Sequence, residues 1–196
     1  MRRAAVIPVV CGLLAAGPAA ADLRGTRWTV GGGVGGFTES ELRGPTDAGG
    51  NWHLRIAFGT RTFMGFELGY MGSIQDVDAP GLDDDAILIG QALDALGRLN
   101  LRYEGSFNPF VYTGASWRRY DLASDANTSR MRSVDDLLEI PLGVGLAYRW
   151  GHKVIEARAE FRPATLGNLI PSEAERGLGT PMHTWGASLH VGLDLN

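Results

Sequence analysis

The chain has 196 residues, of which 18 are Lys or Arg and 22 are Asp or Glu, with 28 glycines and one cysteine. The acidic balance and the lack of any basic run exclude a phosphate-tracking nucleic-acid binder, and a single cysteine excludes a disulfide framework. No stretch beyond residue 22 holds 18 consecutive apolar residues, so no transmembrane helix is predicted.

The opening MRRAAVIPVVCGLLAAGPAAAD has Arg2 and Arg3, an apolar run from Ala4 to Ala16, and Ala19-Ala20-Ala21 ahead of Asp22. That is the pattern of a secretory signal peptide, and the run is too short to span a membrane. Cys11 lies inside the run with no small residue before it, so lipoprotein processing is not expected. The expected organisation is a signal peptide over 1–21 and one β domain over 22–196, with a net charge of −6 after cleavage.

Eight segments then alternate apolar and polar residues with a period of two, the signature of strands. The first, 26–37, sets Trp28, Val30 and Val34 against Thr29, Gly31, Gly33 and Gly35. The second, 51–59, sets Trp52, Leu54, Ile56 and Phe58 against His53, Arg55 and Ala57, and the third, 64–74, sets Phe66, Leu68 and Tyr70 against Gly65, Glu67 and Gly69. Residues 83–99 also fit a helix capped by Asp85, with Leu88, Ala92, Ala95, Leu96 and Leu99 at helical spacing. We read a strand from about 88 to Tyr103, because Leu99, Leu101 and Tyr103 alternate with Arg98, Asn100 and Arg102. The fifth segment, 109–119, is apolar on both faces and its phase is open. The sixth, 139–150, sets Ile140, Leu142, Val144, Leu146, Tyr148 and Trp150 against Glu139, Gly143, Gly145 and Arg149. In the seventh, 154–162, Ile155, Ala157, Ala159 and Phe161 oppose Glu156, Arg158, Glu160 and Arg162. The eighth, 185–196, sets Trp185, Ala187, Leu189, Val191, Leu193 and Leu195 against Ser188, His190 and Asp194.

Short and long connections alternate strictly. The second, fourth and sixth are TRTF, EGSFN and GHK, while the others run to between 11 and 22 residues. A transmembrane barrel segregates its loops by end in this way, with tight periplasmic turns and long surface loops. The predicted fold is therefore all-β, an eight-stranded antiparallel up-and-down transmembrane β-barrel. Eight strands leave an interior that side chains just fill, so the glycines and charges are expected inside and the tryptophans Trp28, Trp52, Trp150 and Trp185 outside. Turning the seventh strand over would cost about 2–4 kcal/mol for each arginine at the bilayer midplane.

With its signal peptide, VGGGVGGF, LGRLNLRYEGSFNPFVYTGASW, PLGVGLAYRW and a terminal amphipathic strand, the chain resembles the small outer-membrane β-barrel family of the OmpA/OmpX or opacity-protein type. The resemblance implies residence in the bacterial outer membrane and contact with its lipid and lipopolysaccharide, with a host or envelope partner reached through the long loops. One departure is the ending Leu195-Asn196, where family members commonly carry an aromatic residue.

The inward set is Arg55, Glu67, Arg98, Arg102, Glu139, Arg149, Glu156, Arg158, Glu160, Arg162 and Asp194, and opposite charges in so dry an interior must pair. A salt-bridged plug is expected, with a narrow ion-conducting path as the alternative. A lipid A-modifying enzyme would need a nucleophile, a base and an orienting acid. His53, Ser188 and His190 have the right chemistry, yet Ser188 and Asp194 lie about 20 Å apart along one strand, so no catalytic set is assigned. A soluble lipocalin-like carrier is a third reading. Asp76, Asp78 and Gly81 resemble a calcium loop, but Pro80 interrupts it and Ile87 takes the place of the closing glutamate. It is read as a solvated acidic loop that could bridge to lipopolysaccharide phosphates through divalent cations; no cofactor or fixed metal is expected. NTS at 127–129 matches a glycosylation acceptor and is discounted.

Overall fold

The computed structural model describes residues 24–43, 46–78, 86–123, 133–164, 166–167 and 180–195. The signal peptide expected over 1–21, the acidic stretch 79–85, NTS at 127–129 and residue 196 lie outside the described residues.

Eight strands close into one antiparallel barrel. They are β1 (Thr26–Phe37), β2 (Gly49–Phe58), β3 (Met64–Asp76), β4 (Ile87–Asn100), β5 (Phe107–Ala123), β6 (Val134–Glu139 continuing as Leu142–Trp150), β7 (Lys153–Arg162) and β8 (Thr184–Leu195). Each pairs with its neighbours in sequence, and β8 pairs with β1 from Thr26↔Leu195 to Phe37↔Thr184, which closes the ring. Closure pairs each strand on both sides, except that residues 134–138 of β6 are laddered only to β5 among the described residues.

Ile87–Asn100 is a strand, so the helical spacing of this stretch loses to its context. β3 and β5 offer a ladder on both sides, from Met64↔Leu99 to Asp76↔Ile87 and from Ile87↔Ala123 to Asn100↔Phe110. Intrinsic preference of a few tenths of a kcal/mol per residue yields to such pairing. β6 begins earlier than the sequence suggests and is interrupted at Ile140-Pro141. Proline has no N–H to give to a ladder, yet Ser116↔Glu139 and Thr113↔Leu142 keep one register across the gap.

The phase of β5 is resolved as well: Phe110, Tyr112, Ser116, Arg118 and Tyr120 are buried inside, while Thr113, Ala115, Trp117 and Arg119 face out. The connections at one end are the tight segments 59–63, 101–106 and 151–152; Gly59 (φ 70°), Gly105 (φ 86°) and Gly151 (φ 62°) supply the left-handed residue in each.

The outer surface is apolar. Leu189 is 65% exposed, Val144 57% and Leu142 46%, whereas Glu156 and Arg158 behind them are 0% and 4% exposed. Aromatic residues mark both borders of this belt. Trp28, Phe66, Phe107, Tyr148 and Trp150 lie toward the short-turn end; Trp52, Trp117, Phe161 and Trp185 lie toward the other. An exposed apolar band between two aromatic girdles is the lipid-facing surface of a membrane barrel.

Candidate functional site: the filled lumen

The inward residues form stacked layers from the short-turn end upward. At the bottom, turn 59–63 folds beneath the barrel, and Thr60 is fully buried. Its hydroxyl donates to Asp194 Oδ1 at 3.1 Å, and Arg149 donates to its carbonyl at 3.4 Å. Asn100 Nδ2 donates to the carbonyls of Gly59 and Thr62 at 3.1 and 2.7 Å. The turn is a polar floor, with its inward-facing carbonyls answered by side chains.

Above it, Arg27, Arg98 and Arg158 interleave with Glu67, Glu156 and Asp194. Arg98 lies 2.8 Å from Glu67 and 3.2 Å from Glu156; Arg158 lies 2.8 Å from Glu67 and 2.6 Å from Glu156. Arg27 bridges Glu156 and Asp194, and Arg149 reaches Asp194 at 2.6 Å. The Arg98 guanidinium also lies 3.5 Å above the Phe110 ring, a favourable contact for a desolvated cation. Room for these rings comes from β6: a Cβ on Gly145 would fall 2.2 Å from Phe110, and one on Gly143 would fall 2.1 Å from Tyr112.

A second layer follows, of Arg55, Arg118 and Arg162 with Asp94, Glu139 and Glu160. Arg162 contacts all three acids, at 2.9, 3.2 and 2.8 Å. Arg55 lies 3.3 Å from Asp94, and Arg118 lies 3.2 Å from Glu139. Tyr112 Oη donates to Glu160 at 3.0 Å while its ring lies 5.1 Å from the Arg158 guanidinium, so it joins the two layers. The upper layer sets three arginines against three carboxylates, and the lower one sets Arg27, Arg98, Arg158 and, at its floor, Arg149 against three. The pairing matters because a buried charge that loses its partner is strongly destabilising.

The upper mouth is closed by apolar side chains. Phe37, Leu42, Leu88, Tyr120, Leu137 and Met182 belong to one buried cluster. The short helix α1 (Ser40–Arg43) carries Leu42 into the mouth, and the Thr46 amide donates to the Leu42 carbonyl at 3.0 Å. Arg118 donates to Tyr120 Oη at 2.8 Å, fastening this plug to the charged layer below. A cavity of about 20 Å³ lies beneath the plug beside Asn51, Ser73 and Arg162, room for about one water molecule.

Of the residues the sequence singles out, Arg55, Glu67, Arg98, Glu139, Arg149, Glu156, Arg158, Glu160, Arg162 and Asp194 lie in these layers or at their floor. Arg102 does not. β4 ends at Asn100, whose side chain is committed to the floor, and Leu101 already bonds back to Pro109; Arg102 is exposed in the turn. Sequence reasoning also missed Arg27, Asp94 and Arg118. Arg27 shares the parity of Thr29 and Gly31, and Asp94 that of Arg98, so the alternation held their signal; Arg118 sits in the strand whose phase was open.

Ser188 Oγ and His190 Nε2 are 2.8 Å apart, and the His190 ring lies 5.0 Å from that of His53. His190 Nδ1 is buried without a hydrogen-bond partner among the described residues. Asp194 is engaged by Arg27, Arg149 and Thr60 at the floor. Among the described residues the pair therefore has no acid hydrogen-bonded to His190 Nδ1 to orient it.

No family model matches the chain, and no curated protein matches it. Among solved structures it is similar to Neisserial surface protein A (NspA), at 12% identity over 87% of this chain and 96% of that one, with a TM-score of 0.58. It is also similar to Ail, the attachment invasion locus protein of Yersinia pestis, at 10% identity over 87% and 98% of the two chains, with a TM-score of 0.56. A second Ail structure, in complex with the heparin analogue sucrose octasulfate, gives a TM-score of 0.56 at 12% identity, covering 87% and 98%. At these identities the likeness is one of fold. Together with the apolar belt, an eight-stranded barrel with tight turns at one end is built for the bacterial outer membrane.

Proposed function

We propose that this protein is a non-enzymatic, non-conducting outer-membrane barrel whose long connections form its working surface. The observation that carries the reading is the filling of the lumen from end to end: a polar floor at Thr60, two ion-paired layers and an apolar plug around Leu42 and Met182. Such an interior anchors rather than transports. The Ser188–His190 pair, with no acid on His190 Nδ1 among the described residues, supports the same conclusion against hydrolysis.

The long connections 38–48, 77–86, 124–133 and 163–183 carry ten acidic and four basic residues. Ail has been crystallised with a polyanionic heparin analogue; the acidic connections here disfavour such a ligand and favour cationic ones. Lipopolysaccharide, reached through divalent cations, and an envelope or host protein with a basic face are the proposed partners. Planar-bilayer recording of the refolded barrel tests the central part. Absence of stable conductance is expected, and large, steady channels would overturn it.

A further inference from the structure

Charge is sorted along the barrel axis into three blocks. Among the described residues the lumen holds seven arginines, each with a carboxylate partner. The long-connection end is acidic, and Asp76, Asp121 and Asp136 outnumber Arg119 on the outward strand faces there. The short-turn end is the reverse: Arg24, Arg61, Arg102 and Lys153 stand against Glu104.

Two of these cations differ from every lumen arginine. Arg102 and Lys153 are exposed, and neither has a carboxylate partner among the described residues. Lys153 points outward on the last rung of β7, opposite Trp150 on one side and Leu193 on the other, with Leu193 in turn opposite Trp28. Trp150 stacks on Tyr148 at 5.8 Å, and Phe107 lies 4.8 Å from Tyr148. Arg102 stands between the exposed Leu101 and Tyr103. Long cationic side chains at such a border lay their stems on apolar surface and carry their charge to the head-group layer. The phosphates of that layer are anions within reach of both side-chain ends.

We propose that the short-turn rim binds phosphate groups of anionic phospholipids in the periplasmic leaflet, with Lys153 and Arg102 as the cations that meet them. The inference rests on the barrel spanning a bilayer as proposed above. Attraction of a surface cation to an anionic leaflet corresponds to about a five-fold change in affinity per residue, or about thirty-fold for two. The test is native mass spectrometry of the folded barrel in zwitterionic detergent, titrated with phosphatidylglycerol or phosphatidylcholine. The unsubstituted protein is expected to retain phosphatidylglycerol preferentially, R102Q/K153Q to lose that preference by about thirty-fold, and D76N/D136N at the far end to keep it. Equal retention of both lipids, an undiminished preference in R102Q/K153Q, or displacement by inorganic phosphate at equal concentration would each overturn the proposal. Heat-modifiable gel migration verifies that each variant is folded. A folded barrel with no lipid preference refutes the rim alone, whereas a chain that stays soluble without detergent refutes the barrel reading itself.

Discussion

Glu156 faces three guanidinium groups, those of Arg27, Arg98 and Arg158, and is fully buried. Neutralising it as Glu156→Gln leaves an excess of positive charge in the lower layer. The expected loss is about 3–5 kcal/mol, read as a lower urea midpoint for unfolding from lipid vesicles; an unchanged midpoint would show that the layer does not act as a unit. Gly145 makes a steric rather than an electrostatic contribution. Gly145→Val drives a side chain into the Phe110 ring and should destabilise by about 1–3 kcal/mol, a penalty that Phe110→Ala in the same chain should partly relieve. Parity in the sequence was enough to turn Glu156, Arg158 and Glu160 inward, since a strand must place alternate residues on one face. It misled at Arg102, because alternation continues in the letters after the ladder has stopped. What ends β4 is the engagement of Asn100 by carbonyls of a turn some forty residues away, and no local pattern encodes that.

At the scale of elements, the sequence was least informative where local and long-range preferences conflict. Residues 83–99 have helical spacing and good helix formers, and only the presence of β3 and β5 on either side makes Ile87–Asn100 a strand. Asp94 was hidden by that conflict, as Arg118 was by the two apolar faces of β5. The mouth plug was illegible for another reason: Leu42, Leu88, Tyr120 and Met182 come from distant segments and meet only after the barrel closes. If the plug seals the lumen, L42S/M182S should leave the barrel intact while exposing position 88. A cysteine at Leu88 is then expected to react with a membrane-impermeant maleimide in the double variant and to be protected in the parent. Equal labelling in both would show that α1 and its neighbours do not close the mouth.

For the whole molecule, closure of the sheet does what a large apolar core does in other domains. The hydrogen-bonded ring closes between β8 and β1, its interior is ionic and its exterior is apolar, so the folded form depends on lipid or detergent. Two gel bands are expected in SDS, a faster one without heating and a slower one after boiling; identical migration would contradict a closed barrel. Everything functional follows from which face is wet. Nitroxides placed one at a time along Trp185–Leu195 test that directly, with collisional access to oxygen dissolved in the bilayer as the readout. High access at 187, 189, 191 and 193, alternating with low access at 188, 190, 192 and 194, is the predicted result. The opposite phase, or no alternation, would contradict a lipid-clad cylinder with its charges sealed inside.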